Sequence, residues 1–135
     1  MDEKKFIIRK NDQEWRAQLT EEEFEVLRKK GTERPYSGEY NSHDLKGTYC
    51  CKGCEAELFT SEQKFNSHCG WPSFDDELSG NRIIKETDES HGMRRIEILC
   101  AKCGGHLGHL FNDGPTESGL RYCVNSLSLS FKENS

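Results

Sequence analysis

Apolar residues follow two different periods along this chain, and the change of period divides it. Before residue 31, Trp15 with Leu19 and Phe24 with Leu27 recur at the steps of a helix face. Asn11 or Asp12 can cap a first short helix. Thr20 followed by Glu23 is a capping-box signature, and Glu21, Glu22 and Glu23 fill the first turn, where the helix dipole favours acid. Arg28, Lys29 and Lys30 close the last turn, and Gly31 stands where a C′ glycine belongs, so the pattern predicts a helix over about 21–30. Residues 1–10 are a charged arm around Phe6-Ile7-Ile8 with the character of an edge strand. From Thr48 onward the text becomes short strands separated by Gly- and Asn-rich turns, at 48–51, 57–60, 82–87, 94–100, 106–111 and 121–131. The expected fold class is mainly β, with a short helical N-terminal segment in front.

The last of these runs has the strongest alternation. Arg121, Cys123, Asn125, Leu127, Leu129 and Phe131 share one face, and Val124, Ser126, Ser128, Ser130 and Lys132 share the other. The serine-rich face reads as solvated, which turns Cys123 inward. Arg121 and Asn125 then flank the thiol, and a fixed cation favours the thiolate, the nucleophilic form.

Composition narrows the picture. Across 135 residues, 32% are charged and only 33% hydrophobic, so the core is lean and would benefit from a covalent or metal staple. A net charge of −5 argues against a nucleic-acid partner. No apolar run approaches the roughly 20 residues of a membrane span. Met1-Asp2-Glu3-Lys4-Lys5 has no apolar stretch behind it, so no secretory signal is expected, and a cytoplasmic setting with reduced thiols follows.

Seven cysteines supply the chemistry. Cys51-Lys52-Gly53-Cys54 and Cys100-Ala101-Lys102-Cys103 are two Cys-x-x-Cys knuckles, whose four sulfurs suit tetrahedral Zn²⁺. Disulfides fit a reducing compartment poorly, and redox use would need only one pair. Four thiolates leave no open coordination position, so the expected cofactor is one structural zinc ion. Cys50 reads as a spare thiol, with replacement of Cys51 as the alternative.

Two cysteines remain, Cys69 and Cys123. Cys69 lies in Ser67-His68-Cys69-Gly70-Trp71-Pro72-Ser73-Phe74, a loop constrained by Gly and Pro. Trp71 there is either a pocket wall or a core anchor. His106-Leu107-Gly108-His109-Leu110-Phe111 follows the second knuckle, and its histidines suit acid and hydrogen-bond roles. His109 and Phe111 share a face if the segment is extended. Thiols, imidazoles, an amide and an aromatic wall together suit attack on an electrophilic sulfur or oxygen, with a second thiol clearing the oxidised one as a disulfide. A zinc-stabilised interaction module and a general thiol-disulfide oxidoreductase are the rival readings.

These motifs, in this order from Arg34-Pro35-Tyr36-Ser37-Gly38-Glu39-Tyr40 to Arg121-Tyr122-Cys123-Val124-Asn125-Ser126, resemble the B-type peptide-methionine sulfoxide reductases, the (R)-S-oxide reductases. The resemblance spans about residues 34 to 131. It implies two antiparallel sheets in one structural domain, with residues 1–33 as the helical segment and 34–132 as the catalytic β part. It also implies reduction of the R epimer of methionine sulfoxide, in oxidised proteins and more weakly as the free amino acid. By position, Cys123 is the nucleophile and Cys69 the resolving thiol, joined as a disulfide that thioredoxin reduces. His106, His109 and Asn125 handle the sulfoxide oxygen, Trp71 contacts its methyl group, and Phe111 and Arg121 complete the substrate site. Cys51, Cys54, Cys100 and Cys103 match the family's optional zinc ligands. A monomer is expected. Two features depart from the family: His68 stands beside the resolving cysteine where Gly is usual, and Cys50 is extra.

Overall fold

The computed structural model describes residues 6–134. Helices α1 (Asp12–Gln18) and α2 (Glu21–Lys29) open it. Each starts on a reciprocal cap: Asn11 with Glu14, and Thr20 with Glu23, whose side chains each satisfy a backbone N–H of the other. The expected C′ role of Gly31 falls instead to Lys30, which takes the left-handed conformation at φ 59°. Its ammonium lies 3.0 Å from the Glu97 carboxylate. The arm at Phe6–Ile8 forms no strand. Ile8 donates to Lys102 O at 2.9 Å, so the arm runs over the second knuckle, a loop that offers no ladder to extend. Residues 1–5 of that arm lie outside the described part.

Nine strands follow among the described residues: β1 (Gly47–Cys51), β2 (Glu57–Thr60), β3 (Lys64–Phe65), β4 (Ser73–Phe74), β5 (Ile83–Asp88), β6 (Arg95–Cys100), β7 (His106–Phe111), β8 (Arg121–Val124) and β9 (Leu129–Glu133). All pairings are antiparallel, in a small sheet β2-β1-β9 and a large one β3-β4-β8-β7-β6-β5. The class is mainly β, as expected. Between the sheets, Phe59 stacks on Phe74 at 4.2 Å, with Tyr49 and Tyr122 edge-on to the pair. Trp15, Phe24 and Leu27 are fully buried from the helical side. Burying each of these side chains is worth about 1.5–3 kcal/mol.

The expected continuous strand over 121–131 is in fact broken. β8 stops at Val124, a single 3-10 turn occupies Ser126–Ser128, and β9 continues in the other sheet. The face assignment also reverses. Tyr122 and Val124 are the core residues of β8, and Cys123 points to the more open face. The serines are buried because each has a backbone partner: Ser126 accepts from Tyr40 N–H at 3.2 Å, and Ser128 donates to His106 O at 2.8 Å.

Candidate active site

The open face of the large sheet carries one row of residues in direct cross-strand register: Ser73, Cys123, His109, Glu97 and Glu86, on β4, β8, β7, β6 and β5. His106 joins this row although it is three residues from His109, a spacing that would put it on the other face of a regular strand. A bulge opposite Ile98/Leu99 adds one residue to β7 and turns His106 back, so the two imidazoles lie 5.6 Å apart.

Beside the row is a cleft of about 90 Å³ lined by Thr32, Trp71, Arg95, His109, Phe111, Cys123 and Asn125, among others. Such a volume takes the end of one side chain. Trp71 is half-buried here, as a wall, with its indole N–H donating to Glu33 O at 3.0 Å. Asn125 accepts from Glu33 N–H at 3.0 Å and donates to Leu107 O at 3.1 Å, so its amide is held from two sides. Arg121 grips Asp113 through two nitrogens at 2.8 and 3.2 Å and lies 4.4 Å over the Phe111 ring. His106 lies behind this wall, buried, with its Nδ1 2.7 Å from Glu97 and its Nε2 without a protein partner.

Cys69 approaches from the loop before β4, its sulfur 3.8 Å from that of Cys123. The two thiols titrate as a pair, because a proton between them makes the first ionisation easier and the second harder. The hydrogen bond from Cys123, helped by the hydroxyls of Ser67 and Ser73, holds the Cys69 thiol down at about 4. At Cys123 the contact with Cys69, and then burial, push the thiol up, while Arg121 pulls it down. While the sulfurs touch, the pair shares one negative charge, which Arg121 and the Ser67 and Ser73 hydroxyls stabilise.

Burial holds the His109 imidazole below its ordinary range; Arg95 and His106 add to this, and the 2.8 Å bond to Asp88 opposes it. Asp88 in turn is held well below the carboxylate range by His109 and by the Ser90 N–H. Burial raises the Glu97 carboxyl, but His106 and Lys30 outweigh it and keep it below its usual value.

At the edge of the same sheet, the sulfurs of Cys51, Cys54, Cys100 and Cys103 all lie within 4.8 Å of one another, with 3.6 Å between Cys51 and Cys103 and 3.5 Å between Cys54 and Cys100. Zinc–sulfur bonds of about 2.3 Å in a tetrahedron require edges of about 3.8 Å, so the cluster fits such an ion. Cys50 is buried outside the four. The helical segment braces the knuckles: Gln18 donates to Gly53 O at 2.8 Å and Arg28 to Cys103 O at 3.1 Å. Trp15 packs so closely on Gly53 that a Cβ there would stand 3.2 Å from the indole.

The SelR domain family matches residues 19–133. A peptide methionine sulfoxide reductase MsrB from Leptospira interrogans is 51% identical over 128 residues, covering 95% of this chain and 98% of that protein. Its namesake from Hahella chejuensis is 56% identical over 124 residues, covering 92% and 89%. One from the archaeon Methanosarcina barkeri is 51% identical, covering 93% and 88%. The chain belongs to the MsrB family.

The loop at His68, where a departure from the family was expected, is strained. His68 sits in the left-handed region at φ 62°, which costs a non-glycine residue about 1 kcal/mol. Tyr36 stabilises this loop from outside, donating its backbone N–H to Gly70 O at 2.7 Å and its hydroxyl to His68 O at 2.9 Å. Asp88, Glu97, Arg95, Thr32 and Glu33 are contributors that sequence reasoning missed. The available signal was weak: in a strand such as β6, charges alternating with isoleucine read as a solvated edge, yet Glu97 is only 2% exposed.

Proposed function

We propose that this MsrB-family protein reduces methionine sulfoxide in oxidised proteins, and more weakly the free amino acid, with selectivity for the R epimer. The observation that carries the reading is that Cys123 opens onto the aromatic cleft with His109 on one side and Cys69 on the other. In this reading the sulfoxide methyl meets Trp71, its oxygen turns to His109 with Asn125 and His106 in support, and the rest of the residue leaves past Phe111. Three distinct substituents on three distinct walls admit one enantiomer.

Arg121 is the cation beside Cys123 that favours its thiolate for the attack. The Cys123 thiolate attacks the sulfoxide sulfur as protonated His109 gives its proton to the oxygen, a poor leaving group until protonated. The oxygen ends on Cys123 as sulfenic acid, and methionine departs. Cys69 then attacks the Cys123 sulfur, releasing water and closing a disulfide. Thioredoxin is the proposed reductant of that disulfide. Residues 34–132 carry most of this chemistry and residues 1–33 brace it, although Thr32 lines the cleft. The four knuckle cysteines would hold one zinc ion, which supplies a cross-link and takes no part in a step.

Two experiments test the steps. In Cys69→Ser, reduction of R-sulfoxide driven by dithiothreitol should persist, while the thioredoxin-driven rate falls by about tenfold or more; full thioredoxin activity would assign resolution to another residue. The second concerns acid strength. Asp88 raises the His109 pKa against burial, Arg95 and His106, and the acid must be protonated to act. Rate therefore falls as pH rises through that pKa. Asp88→Asn removes the raising group, so the falling limb of the kcat profile should move to lower pH, with the loss greatest above neutrality. An unmoved limb would remove His109 from the role of acid.

A further inference from the structure

A second groove, of about 320 Å³, opens next to the reactive cleft and shares Arg95 and Phe111 with it. Its floor is apolar. Ile96 is 36% exposed and pairs directly with Leu110 across β6 and β7, and Leu120 closes the end. Its rim is cationic. Arg94 is exposed and has no ion-pair partner among the described residues, whereas Arg95 pairs with Asp88 at 3.6 Å and only its buried Nε lacks a hydrogen-bond partner. The Arg121 guanidinium lies over Phe111, where the groove meets the cleft. A chain whose oxidised methionine occupies the cleft must send one of its flanks this way. The opposite end of the cleft has the other sign. Thr32 also borders a larger hollow lined by Glu21, Glu22, Glu23, Glu25, Glu33 and Glu39, against Arg34 and Lys52. An acidic flank is repelled there, so only one direction of the substrate chain suits it.

We propose that the groove of Arg94, Arg95, Ile96, Leu110 and Leu120 is a specificity site that holds an extended, apolar and acidic flank of the oxidised protein substrate. The inference rests on the reading that the cleft reduces peptide methionine sulfoxide, and it adds which sulfoxides are preferred. Exposed charges steer and orient more than they hold, so the effect is selectivity of modest size.

The test uses synthetic peptides with a central R-sulfoxide and a Glu-Leu-Glu or Lys-Leu-Lys flank on either its N-terminal or its C-terminal side, with dithiothreitol as reductant. A blocked methionine sulfoxide amide without flanks serves as the reference. On one side, but not the other, the acidic peptide should show kcat/KM about three- to tenfold above its lysine counterpart, carried by KM and weakened by salt. Arg94→Glu should reverse that preference and Arg94→Gln should flatten it, both leaving the amide rate unchanged. Equal rates for all peptides with the amide still reduced, or a preference indifferent to Arg94, would overturn the groove and leave the activity standing. Failure to reduce the amide would overturn the underlying activity and the groove with it.

Discussion

Cys123→Ser should eliminate sulfoxide reduction with either dithiothreitol or thioredoxin, lowering the rate by about 10⁴-fold or more. The size follows from the division of labour in the cleft. In the proposed mechanism Trp71, Phe111, Asn125 and His109 bind and protonate the sulfoxide, and the sulfur at position 123 accepts its oxygen. Cys69 is 3.8 Å away, yet it is not among the residues that line the cleft. A hydroxyl at position 123 should leave the walls in place. Binding of methionine sulfoxide, read by the fluorescence of the half-buried Trp71, should therefore persist while turnover stops. Residual reduction above about 1% of the starting rate would mean that another thiol, Cys69 or Cys50, performs the attack.

The other large effect is expected from the sulfur cluster. Removing the ion by chelation at neutral pH, or replacing Cys100 by Ser, should unfold the chain rather than merely slow it. Cys51 ends β1 in the small sheet and Cys100 ends β6 in the large one, so the four sulfurs join the two layers of a lean core. A structural zinc site contributes on the order of 10 kcal/mol, and a domain of this size has only about 5–15 kcal/mol in total. The expected result is loss of the cooperative thermal transition and of the near-ultraviolet signal of the packed aromatics, with activity declining in step. An unchanged melting curve after verified metal loss would show that the sheets hold without the cross-link.

Much of this was legible in the residues, and the failures have identifiable causes. The helix caps at Asn11 and Thr20 and most of the longer strands follow from local rules that tertiary packing did not override. The knuckle spacing announced the cluster because few roles other than metal binding need two Cys-x-x-Cys pairs in one chain. The strand carrying Cys123 misled. Serine at alternate positions signals solvent only when no backbone acceptor waits for it, and Ser128 meets His106 O in the interior. The face of His106 was equally hidden, since the bulge that turns it depends on how β7 pairs with β6. Asp88 and Glu97 were illegible because their carboxylates acquire meaning only against an imidazole that the fold brings from β7.

β8 ends one residue after Cys123, and the next few residues lead into β9, where Leu129 lies opposite the knuckle cysteine Cys51. Fraying of the carboxy-terminal strand would therefore disturb Cys123 and the cysteine knuckle together. Tags or truncations at that end act on both at once, and a fusion partner is better placed at the other terminus.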